Sequence, residues 1–498
     1  MPFIPVEWLA PLMFAVLLAF MLSGFPVAFA LAANGLLFGY IAIEQGLMSP
    51  ALLQALPERL FGIMSNDTLL AIPFFTFMGL VLERSKMAED LLETVGMLFG
   101  ALRGGLAMAI VLVGALLAAT TGVVAASVIS MGLISLPIML KHGYSPRVST
   151  GVIAASGTLA QIIPPSLVLI VMADQLGVSV GDMYAGAMLP SLLLVACFLL
   201  YIVCKAIASP QDLPALPRGH FNLPTRTLVY RSLVVLVPPL ALIFLVLGTI
   251  FVGLATPTEA GAMGAVGALV LAWAKQRLNI TLLKDALDST TKLSCFVMFI
   301  LIGSTVFGLT FRAIDGDIWV EHLMTGLPGG ELGFLVAVQI LVFVLGFFLD
   351  FFEIAFIVIP LLVPVAQQLD INLVWFGVMI AMNLQTSFLT PPFGFSLFYL
   401  KSVTPAGLKT IDIYKGAVPF VIMQLLMVVV IFAFPELVIN KSTSDGDAGY
   451  AEQLNLKLNR TQQSAPKGLD DGANPYGGNV YGEESTGRFV PQFLQQHS

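Results

Sequence analysis

Apolar runs of about 20 residues recur along the chain up to about residue 438, and charged or Pro/Gly-rich segments separate them. A helix needs a run of this length to cross a hydrocarbon core of about 30 Å. The period-two alternation of apolar and polar residues that a membrane β-barrel requires is absent from the sequence. The pattern therefore predicts an all-α polytopic membrane protein. Its first run, residues 1–20, has no basic start and no small-residue cleavage site, so we expect a retained first helix.

The composition separates a membrane part from a polar tail. The whole chain is 58% hydrophobic and 11% charged, whereas a soluble domain carries roughly 25% charged residues. After residue 440 the sequence becomes polar and rich in Gly, Asn and Gln, and it loses its periodic apolar positions. A segment of this composition cannot bury enough apolar surface to fold alone. We therefore predict that residues 441–498 form a disordered polar tail.

Two proline pairs indicate an internal repeat. The segment TLAQIIPPS at residues 158–166 aligns with QTSFLTPPF at residues 385–393. The same offset pairs Pro137 with Pro364, and the motif Asp-x-Tyr-x-Gly-Ala occurs farther along in both copies. A polar, proline-rich stretch, residues 207–228, lies between the copies and is typical of a linker.

Charged residues between the apolar runs predict which face each loop occupies, because Lys and Arg are enriched in cytoplasmic loops. The cytoplasmic face takes the basic segments that contain Arg84 and Lys86, Arg103, Lys141 and Arg147, Lys205 through Arg231, Lys275 to Lys292, and Lys401 to Lys415. The opposite face takes the acidic segments at residues 44–67, 174–182 and 315–331 and at Asp370.

Two apolar segments begin and end at the same face. Residues 105–140 lie between basic loops and residues 332–369 lie between acidic ones, so neither can cross the membrane an odd number of times. We predict two re-entrant hairpins, the first entering from the cytoplasm with its tip near residues 118–127, the second from outside with its tip near residues 346–355. The alternative is two full transmembrane helices per segment, but arms of about 12 to 18 residues are short for a crossing.

Hairpins that enter from opposite faces give the two repeats opposite orientations. We predict a first inverted repeat over residues 1–206, a cytoplasmic linker over residues 207–228 and a second inverted repeat over residues 229–440. The proline pairs add one broken transmembrane helix to each repeat. Inverted repeats with re-entrant helical hairpins and broken helices are typical of secondary transporters.

The proline pairs predict that the breaks lie at residues 156–165 and 383–392. Proline has no amide hydrogen and disfavours a helical residue before it, so nearby carbonyl groups lose their helical partners. Such carbonyls are costly against lipid, but together with nearby hydroxyls they can bind a cation or line a polar cavity. An ordinary kink that neighbouring helices satisfy is the alternative.

Each break is predicted to meet one hairpin tip in a polar cluster that can bind a cation. The first cluster contains Thr120, Thr121, Gly122, Ser156, Gly157 and Thr158. The second cluster contains Gly346, Asp350, Gln385, Thr386, Ser387 and Thr390. A substrate is expected beside the same breaks, at Thr121, Gly157, Pro164, Asn383, Thr390 and Pro391. Helix ends that point to the middle of the membrane would attract an anion.

The acidic residues in the predicted membrane segments have alternative roles. Asp350 and Glu353 either bind a cation or brace the hairpin tip, or Asp350 simply caps the helix that follows it. Glu259 follows Thr-Pro-Thr at a predicted helix start, where an acid stabilises the helix dipole.

Two other classes of protein fit the sequence less well. An intramembrane aspartyl protease needs two facing aspartates at membrane depth, and a serine protease needs a membrane histidine, but the four histidines are predicted outside or near an interface. We therefore do not expect an enzyme. A channel can also contain re-entrant loops, but tips that enter from opposite faces suit an occluded site better.

Five segments together resemble the large membrane subunit of the tripartite ATP-independent periplasmic (TRAP) transporters, the DctM-like proteins. They are PFFTFMGLVLERSKMAEDLL (73–92), GGLAMAIVLVGALLAATTGVVAAS (104–127), GTLAQIIPPS (157–166), ATPTEAGA (255–262) and LTPPFGFSLF (389–398). The resemblance spans about residues 8–438. It departs from the family pattern at Ser387, where a glycine is common, and at the first tip, where Thr120 and Thr121 replace a serine-rich sequence.

The resemblance implies sodium-driven uptake of an organic acid across a bacterial inner membrane by an elevator motion. It implies Na⁺ as the coupling ion, and as partners a periplasmic solute-binding protein (DctP-like) and a small four-helix membrane subunit (DctQ-like). No four-helix extension precedes the first repeat, so the small subunit is expected as a separate chain. The tail is expected to be periplasmic, and no nucleic-acid partner is expected. A stand-alone ion-coupled anion carrier with the same two hairpins is the nearest alternative.

Overall fold

The computed structural model describes residues 5–215, 225–391, 393–405 and 407–439. Within these ranges all regular structure is helical. Six helices are long and apolar enough to cross a membrane, or seven if a bent helix pair is counted as one span. The prediction of an all-α polytopic membrane protein is therefore confirmed. The predicted tail, residues 441–498, lies outside the described residues, as does the middle of the predicted linker.

The helices follow the same order twice along the chain. The first half contains α1 (Val6–Leu22), α2 (Val27–Glu44), α3 (Leu56–Met64), α4 (Ala71–Arg84), α5 (Met87–Phe99), α6 (Gly105–Thr121), α7 (Val124–Lys141), α8 (Pro146–Thr158), α9 (Leu167–Leu176) and α10 (Val180–Ala208). The second half contains α11 (Thr225–Phe251), α12 (Pro257–Ala274), α13 (Ile280–Ala313), α14 (Gly316–Thr325), α15 (Glu331–Leu345), α16 (Phe351–Ile357), α17 (Ile359–Gln368), α18 (Leu373–Leu389), α19 (Phe395–Ser402) and α20 (Thr410–Ala433).

The two halves differ in only two places in this order. The long helix α13 stands where α3 and α4 stand in the first half, and the bent pair α16 and α17 stands where α7 stands. Pro360 explains the bend of 51° between α16 and α17, because a proline cannot donate to the carbonyl four residues before it. That carbonyl, on Phe356, instead accepts a hydrogen bond from the hydroxyl of Ser304 on α13.

Helices of one half pack closely against helices of the other. Where α2 meets α13, a Cβ on Gly35 would lie only 2.9 Å from the backbone of Phe307. At the same contact, Thr310 donates a 2.8 Å hydrogen bond to the carbonyl of Gly35. α8 and α20 approach in the same way through Gly151 and Gly416. Small residues allow membrane helices this close approach, so the two halves form one interlocked bundle.

Ion pairs join segments that the sequence assigns to one face. Asp90 Oδ2 lies 3.1 Å from Lys275 Nζ and 3.0 Å from Arg277 Nη1. Arg147 Nε at the start of α8 lies 2.9 Å from Asp412 Oδ1 at the start of α20. We call this side of the bundle the basic face and the opposite side the acidic face.

The first hairpin, formed by α6 and α7, begins and ends beside the linker on the basic face. Gly104 and Ser145 donate backbone hydrogen bonds of 3.1 and 2.9 Å to the adjacent residues Leu213 and Asp212. Tyr144 braces the same base, because its hydroxyl oxygen accepts a 3.3 Å hydrogen bond from the amide of Leu106. Burial raises the pKa of Tyr144 to about 12. This hydroxyl therefore stays protonated at neutral pH.

The tip of the first hairpin is the turn at Gly122 and Val123, within the predicted range. Gly122 adopts a left-handed conformation with φ of 60°, which glycine reaches without steric cost. A Cβ on Gly122 would lie 3.0 Å from Cγ of Leu167, the first residue of α9. The tip therefore lies beside the break between α8 and α9. This position is the one predicted for the tip of a re-entrant hairpin, although α7 is by length and composition one of the six helices that could cross a membrane.

The second hairpin enters from the acidic face. Its first arm is α15, its second arm is the bent pair α16 and α17, and its tip is the turn at residues 346–350. At its base, Gln368 Nε2 donates a 3.0 Å hydrogen bond to Glu321 Oε1 of α14. At its tip, Gly346 packs against the side chain of Ser387 near the end of α18. The two hairpins thus reach the two broken helices from opposite faces, as predicted.

The breaks themselves are shorter than predicted. α8 continues through Thr158 and α18 continues through Leu389, so the residues from 156 to 158 and from 383 to 389 are helical. The physical reason is that proline restricts chiefly the residue directly before it. Thr390, which precedes Pro391, accordingly has an extended backbone with ψ of 125°. The helices resume at Leu167 and Phe395.

Candidate substrate and cation site

The residues of the first predicted cluster lie where hairpin 1 packs on the end of α8. The α6 arm approaches through Gly114, where a Cβ would lie 2.5 Å from Cβ of Ser156. The α7 arm approaches through Val128, whose side chain fills the space beside Gly157. Thr120, Thr121 and Gly122 end α6 at the tip. Pro164 lies farther on, inside the break between α8 and α9.

The residues of the second predicted cluster lie at the end of α18. Gln385, Thr386 and Ser387 are fully buried there, and Ser387 touches Gly346 of the hairpin tip. Thr390 and Pro391 follow in the break. This chain has Ser387 where the resemblance leads us to expect a glycine. The facing hairpin supplies a glycine, Gly346, at the same contact.

Hydroxyl groups in both clusters donate to carbonyls of their own helices. Thr120 donates to Leu117 at 2.9 Å, Thr158 to Ala155 at 2.9 Å, Thr386 to Met382 at 3.0 Å, Ser387 to Leu384 at 2.8 Å, and Thr390 to Thr386 at 2.7 Å. A hydroxyl that donates in this way keeps its oxygen lone pairs for another group. These oxygens can therefore accept a hydrogen bond or bind a cation.

Side chains also satisfy backbone carbonyls that the prolines free. Pro165 cannot donate to the carbonyl of Gln161, and the hydroxyl of Ser166 donates to it instead at 2.7 Å. The carbonyl of Ser166 in turn accepts from Tyr184 at 3.4 Å. The carbonyl of Gln161 thus has a side-chain partner in place of a helical one, whereas the carbonyl of Ser166 also keeps a helical partner, the amide of Ile170 at 3.2 Å. A buried carbonyl without a partner is costly, so the fold supplies local donors.

Four polar side chains near the breaks keep atoms without a hydrogen-bond partner among the described residues. Gln161 and Gln385 are fully buried, and neither the amide nitrogen nor the amide oxygen of either side chain has a partner there. The same holds for Oγ of Ser156 and Oε1 of Gln424. Leaving such a group unsatisfied costs about 1–3 kcal/mol. Two complete unsatisfied amides beside the two breaks are therefore typical of a binding site.

Sequence reasoning missed Gln161 and Gln424. Gln161 directly precedes the Ile-Ile-Pro-Pro of the first break, and Gln424 lies in the middle of the apolar helix α20. Gln424 Nε2 donates a 3.1 Å hydrogen bond to Oγ1 of Thr158, so it ties α20 to the end of α8. A single amide inside an apolar run is expensive in a membrane. That cost was the available signal for both residues.

Asp350 and Asn383, two further residues of the predicted site, form hydrogen bonds with neighbouring residues. Asp350 caps α16: its Oδ1 accepts a 2.8 Å hydrogen bond from the amide of Phe351, and its own amide donates at 3.0 Å to Glu353 Oε2. Asn383 Nδ2 donates at 2.7 Å to both the carbonyl and Oε1 of Gln339 on hairpin 2. The capping alternative for Asp350 is thus realised. Glu259 likewise completes a capping box with Thr256 at the start of α12.

Apart from the carboxylate of Asp350, the side chains of the two clusters offer neutral oxygen ligands. Among the described residues, no group of three or more His, Cys, Asp and Glu side chains could hold a metal ion. Hydroxyl, amide and carbonyl oxygens are ligands that hard cations accept. Broken helices beside re-entrant tips, with polar atoms left over at each break, define the fold as that of a secondary transporter.

Comparison with known proteins identifies the family. The model of the family described as "Tripartite ATP-independent periplasmic transporter, DctM component" matches residues 14–437. The chain therefore belongs to the DctM family, whose members are the large permease subunits of TRAP transporters in the bacterial inner membrane.

Individual relatives cover most of the chain. The C4-dicarboxylate TRAP transporter large permease protein DctM of Pseudomonas aeruginosa is 31% identical over 396 residues, which are 78% of this chain and 89% of that protein. The protein of the same name from Vibrio cholerae is 30% identical over 85% of this chain and 95% of its own length. The sialic acid permease SiaM of Vibrio cholerae is 26% identical, with 84% and 95% covered.

A solved structure supports the fold alone. The Alcanivorax borkumensis YdaH transporter, described as having an unusual topology, superposes with a TM-score of 0.54 at 14% sequence identity. The match covers 77% of this chain and 88% of that chain. The architecture is therefore shared with another transporter although the sequences have diverged.

Proposed function

We propose that this chain carries an organic acid across the membrane together with sodium ions, at the two breaks beside the hairpin tips. One observation carries the proposal: the unsatisfied amides of Gln161 and Gln385, one beside each proline pair. A transporter must leave polar groups unpaired in its resting fold if they are to bind cargo. A packing role alone would have favoured apolar side chains at these positions, because unsatisfied buried amides destabilise a fold.

A carboxylate is the substrate class that the relatives support. The relatives described above are named for C4-dicarboxylates and for sialic acid, which are carboxylic acids, whereas a further relative, 25% identical, is named for isethionate, a sulfonate. Pro164 and Pro391 lie in the two breaks. Each break is followed by the N-terminal end of a helix, α9 or α19, and that end carries partial positive charge that attracts an anion. Thr121, Gly157, Asn383 and Thr390 are the further candidates for substrate contact.

Sodium coupling supplies a driving force for uptake of an anion. A positive charge that moves inward gains about 2.3 kcal/mol per 100 mV of membrane potential. Two sodium ions with a monoanion leave one net positive charge, so the potential then drives uptake. The sodium ligands in this proposal are oxygens of the two clusters, and Thr158 and Thr390 represent one ligand at each break.

The motion we propose is an elevator, in which the hairpins and broken helices move against the remaining helices. On the acidic face, two of the contacts between these two parts are single hydrogen bonds. Asn66 Nδ2 donates a 2.7 Å hydrogen bond to Asp174 Oδ1 at the end of α9, and Ser304 donates to the carbonyl of Phe356. Single hydrogen bonds contribute about 1 kcal/mol each. Contacts of this kind can break and re-form during a transport cycle.

The proposed assembly has three components, as the family description implies. This chain would bind a small membrane subunit of the DctQ type and a periplasmic solute-binding protein of the DctP type. The requirement for a binding protein is what separates this proposal from a stand-alone carrier with the same fold.

Alanine at Thr158 or Thr390 tests the cation ligands. We expect each substitution to raise the sodium concentration for half-maximal uptake about threefold to tenfold, because one oxygen ligand is lost. The measurement is initial uptake against sodium concentration in proteoliposomes. Thr291→Ala is a matched control, because Thr291 makes the same kind of hydrogen bond to its own helix, to Leu287 at 2.8 Å, on an exposed surface. Unchanged half-saturating sodium in both site variants would remove these residues from the proposed site.

A further inference from the structure

A cavity of about 200 Å³ lies at the acidic face between the two parts that the proposed motion separates. Its walls come from α3, from the end of α9, from the end of α13 and from the bent arm of hairpin 2. The polar lining includes Arg59 of α3, Arg312 of α13, and Asp174 with Gln175 of α9. We call it the arginine cavity.

The two arginines of this cavity are exposed, and neither forms an ion pair with any residue that the structure describes. The acidic residue in the lining of this cavity is Asp174, and it is already hydrogen-bonded. Asp174 Oδ1 accepts a 2.7 Å hydrogen bond from Asn66, and Asp174 Oδ2 accepts a 2.8 Å hydrogen bond from Gln175. Both guanidinium groups are therefore available to an anion from outside the chain.

The positive charges of Arg59 and Arg312 are unusual on the acidic face. The sequence around the cavity is acidic, with Glu44, Glu58, Asp67, Asp315, Asp317, Glu321, Glu331 and Asp370 on the same face. An acidic surface repels an approaching anion, and a local pair of positive charges lowers that barrier. Arginine in particular offers a planar pair of N–H donors that matches the geometry of a carboxylate.

The size of the cavity limits what it can hold. At about 30 Å³ for each water molecule, 200 Å³ corresponds to roughly seven waters. This volume lies below the range of about 300–1,000 Å³ that is typical of sites for larger ligands. A cavity of this size favours a short carboxylic acid over a larger one.

We propose that the arginine cavity is a first binding site for a short carboxylate, which Arg59 and Arg312 hold at the acidic face before it reaches the broken helices. The inference rests on the proposed function, because it places a second anion site on the path to the first. The floor of the cavity includes Phe356 and Pro360 of hairpin 2. A bound carboxylate therefore touches both the hairpin arm and the helices against which the hairpin is proposed to move.

The test is carboxylate binding without sodium, where the proposed site at the broken helices has lost its coupling ion. Succinate is titrated into the purified complex of this chain with its small subunit, and saturation-transfer NMR gives the Kd. We expect Arg59→Gln and Arg312→Gln each to raise this Kd about tenfold, since each removes a charged hydrogen-bond pair. Arg312→Lys keeps the charge but loses the paired N–H donors of the guanidinium group, so we expect the Kd for succinate to rise about threefold. N-acetylneuraminate is expected to compete at least tenfold more weakly than succinate.

The control is Arg103→Gln, because Arg103 is also exposed and lacks a described ion pair, but lies on the basic face. The Kd of the Arg103→Gln variant for succinate is expected to equal that of the wild type. An unchanged Kd in both cavity variants would overturn the inference, as would the absence of sodium-free succinate binding to the wild type. Sodium-driven uptake is measured separately on the same preparation, so the proposed function can hold while this inference fails.

Discussion

Gln385→Leu is expected to abolish sodium-driven uptake while leaving the protein as stable as before or more stable. Both polar atoms of this fully buried side chain lack a partner among the described residues. If the amide oxygen binds the cation, its loss removes about 1.5–3 kcal/mol of interaction with a charge, or roughly tenfold to hundredfold in sodium affinity. Leucine has a similar volume and removes the cost of burying an unsatisfied amide, about 1–3 kcal/mol.

Because this variant is expected to lose uptake but not stability, the two measurements together distinguish a role in transport from a role in packing. Uptake and thermal unfolding are measured on the same purified variant. Thr94→Val is the matched control, because Thr94 is fully buried in α5 with an unpartnered hydroxyl but lies away from both breaks. It is expected to keep full uptake. A Gln385→Leu protein that transports normally, or one that unfolds at a much lower temperature, would show that the amide serves the fold.

Gly346→Ala is expected to lower the uptake rate more than tenfold. Gly346 has an ordinary helical φ of −65°, so alanine costs nothing in the backbone there. Its Cβ, however, would overlap the hydroxyl of Ser387 and lie 2.8 Å from Cβ of that residue. Overpacking of this kind costs about 1–3 kcal/mol. The overlap therefore destabilises the contact between the tip of hairpin 2 and the broken helix α18.

Gly248→Ala supplies the control for this substitution. Gly248 lies in α11, and a Cβ there would meet no heavy atom within 4 Å among the described residues. This variant is expected to transport at the wild-type rate. The double variant Gly346→Ala with Ser387→Gly removes the overlap together with one oxygen of the second cluster, so it is expected to recover most of the lost rate when uptake is measured at saturating sodium. If Gly346→Ala is fully active, or if Ser387→Gly rescues nothing, the tip contact does not limit transport.

The sequence alone was sufficient to predict the architecture, because the bilayer imposes it. Charges cannot remain in hydrocarbon, so basic and acidic loops define the faces, and the two hairpins at residues 105–140 and 332–369 follow from equal charge at both ends. The proline pairs at Pro164 and Pro391 mark the breaks because proline acts on its own backbone. Each of these signals is local, and each was visible in a single sequence.

The site was only partly predictable, because its details depend on contacts distant in sequence. The breaks were placed too early, since α18 remains helical up to the residue before Pro391. Gln424 reaches Thr158 across 266 positions, and no local pattern reports that pairing. The partner of Ser387 is Gly346 on another element. Arg59 lies inside an otherwise acidic segment and Arg312 lies just before another, and only the fold brings them to one cavity.

The most direct test of the central claim is uptake into proteoliposomes that contain this chain with its small subunit. A panel of radiolabelled carboxylates is offered with and without the cognate binding protein, and with and without an inward sodium gradient. We expect uptake only when both the binding protein and the sodium gradient are present. Uptake with sodium but without the binding protein would indicate a stand-alone carrier, and flux that is indifferent to both would contradict coupled transport altogether.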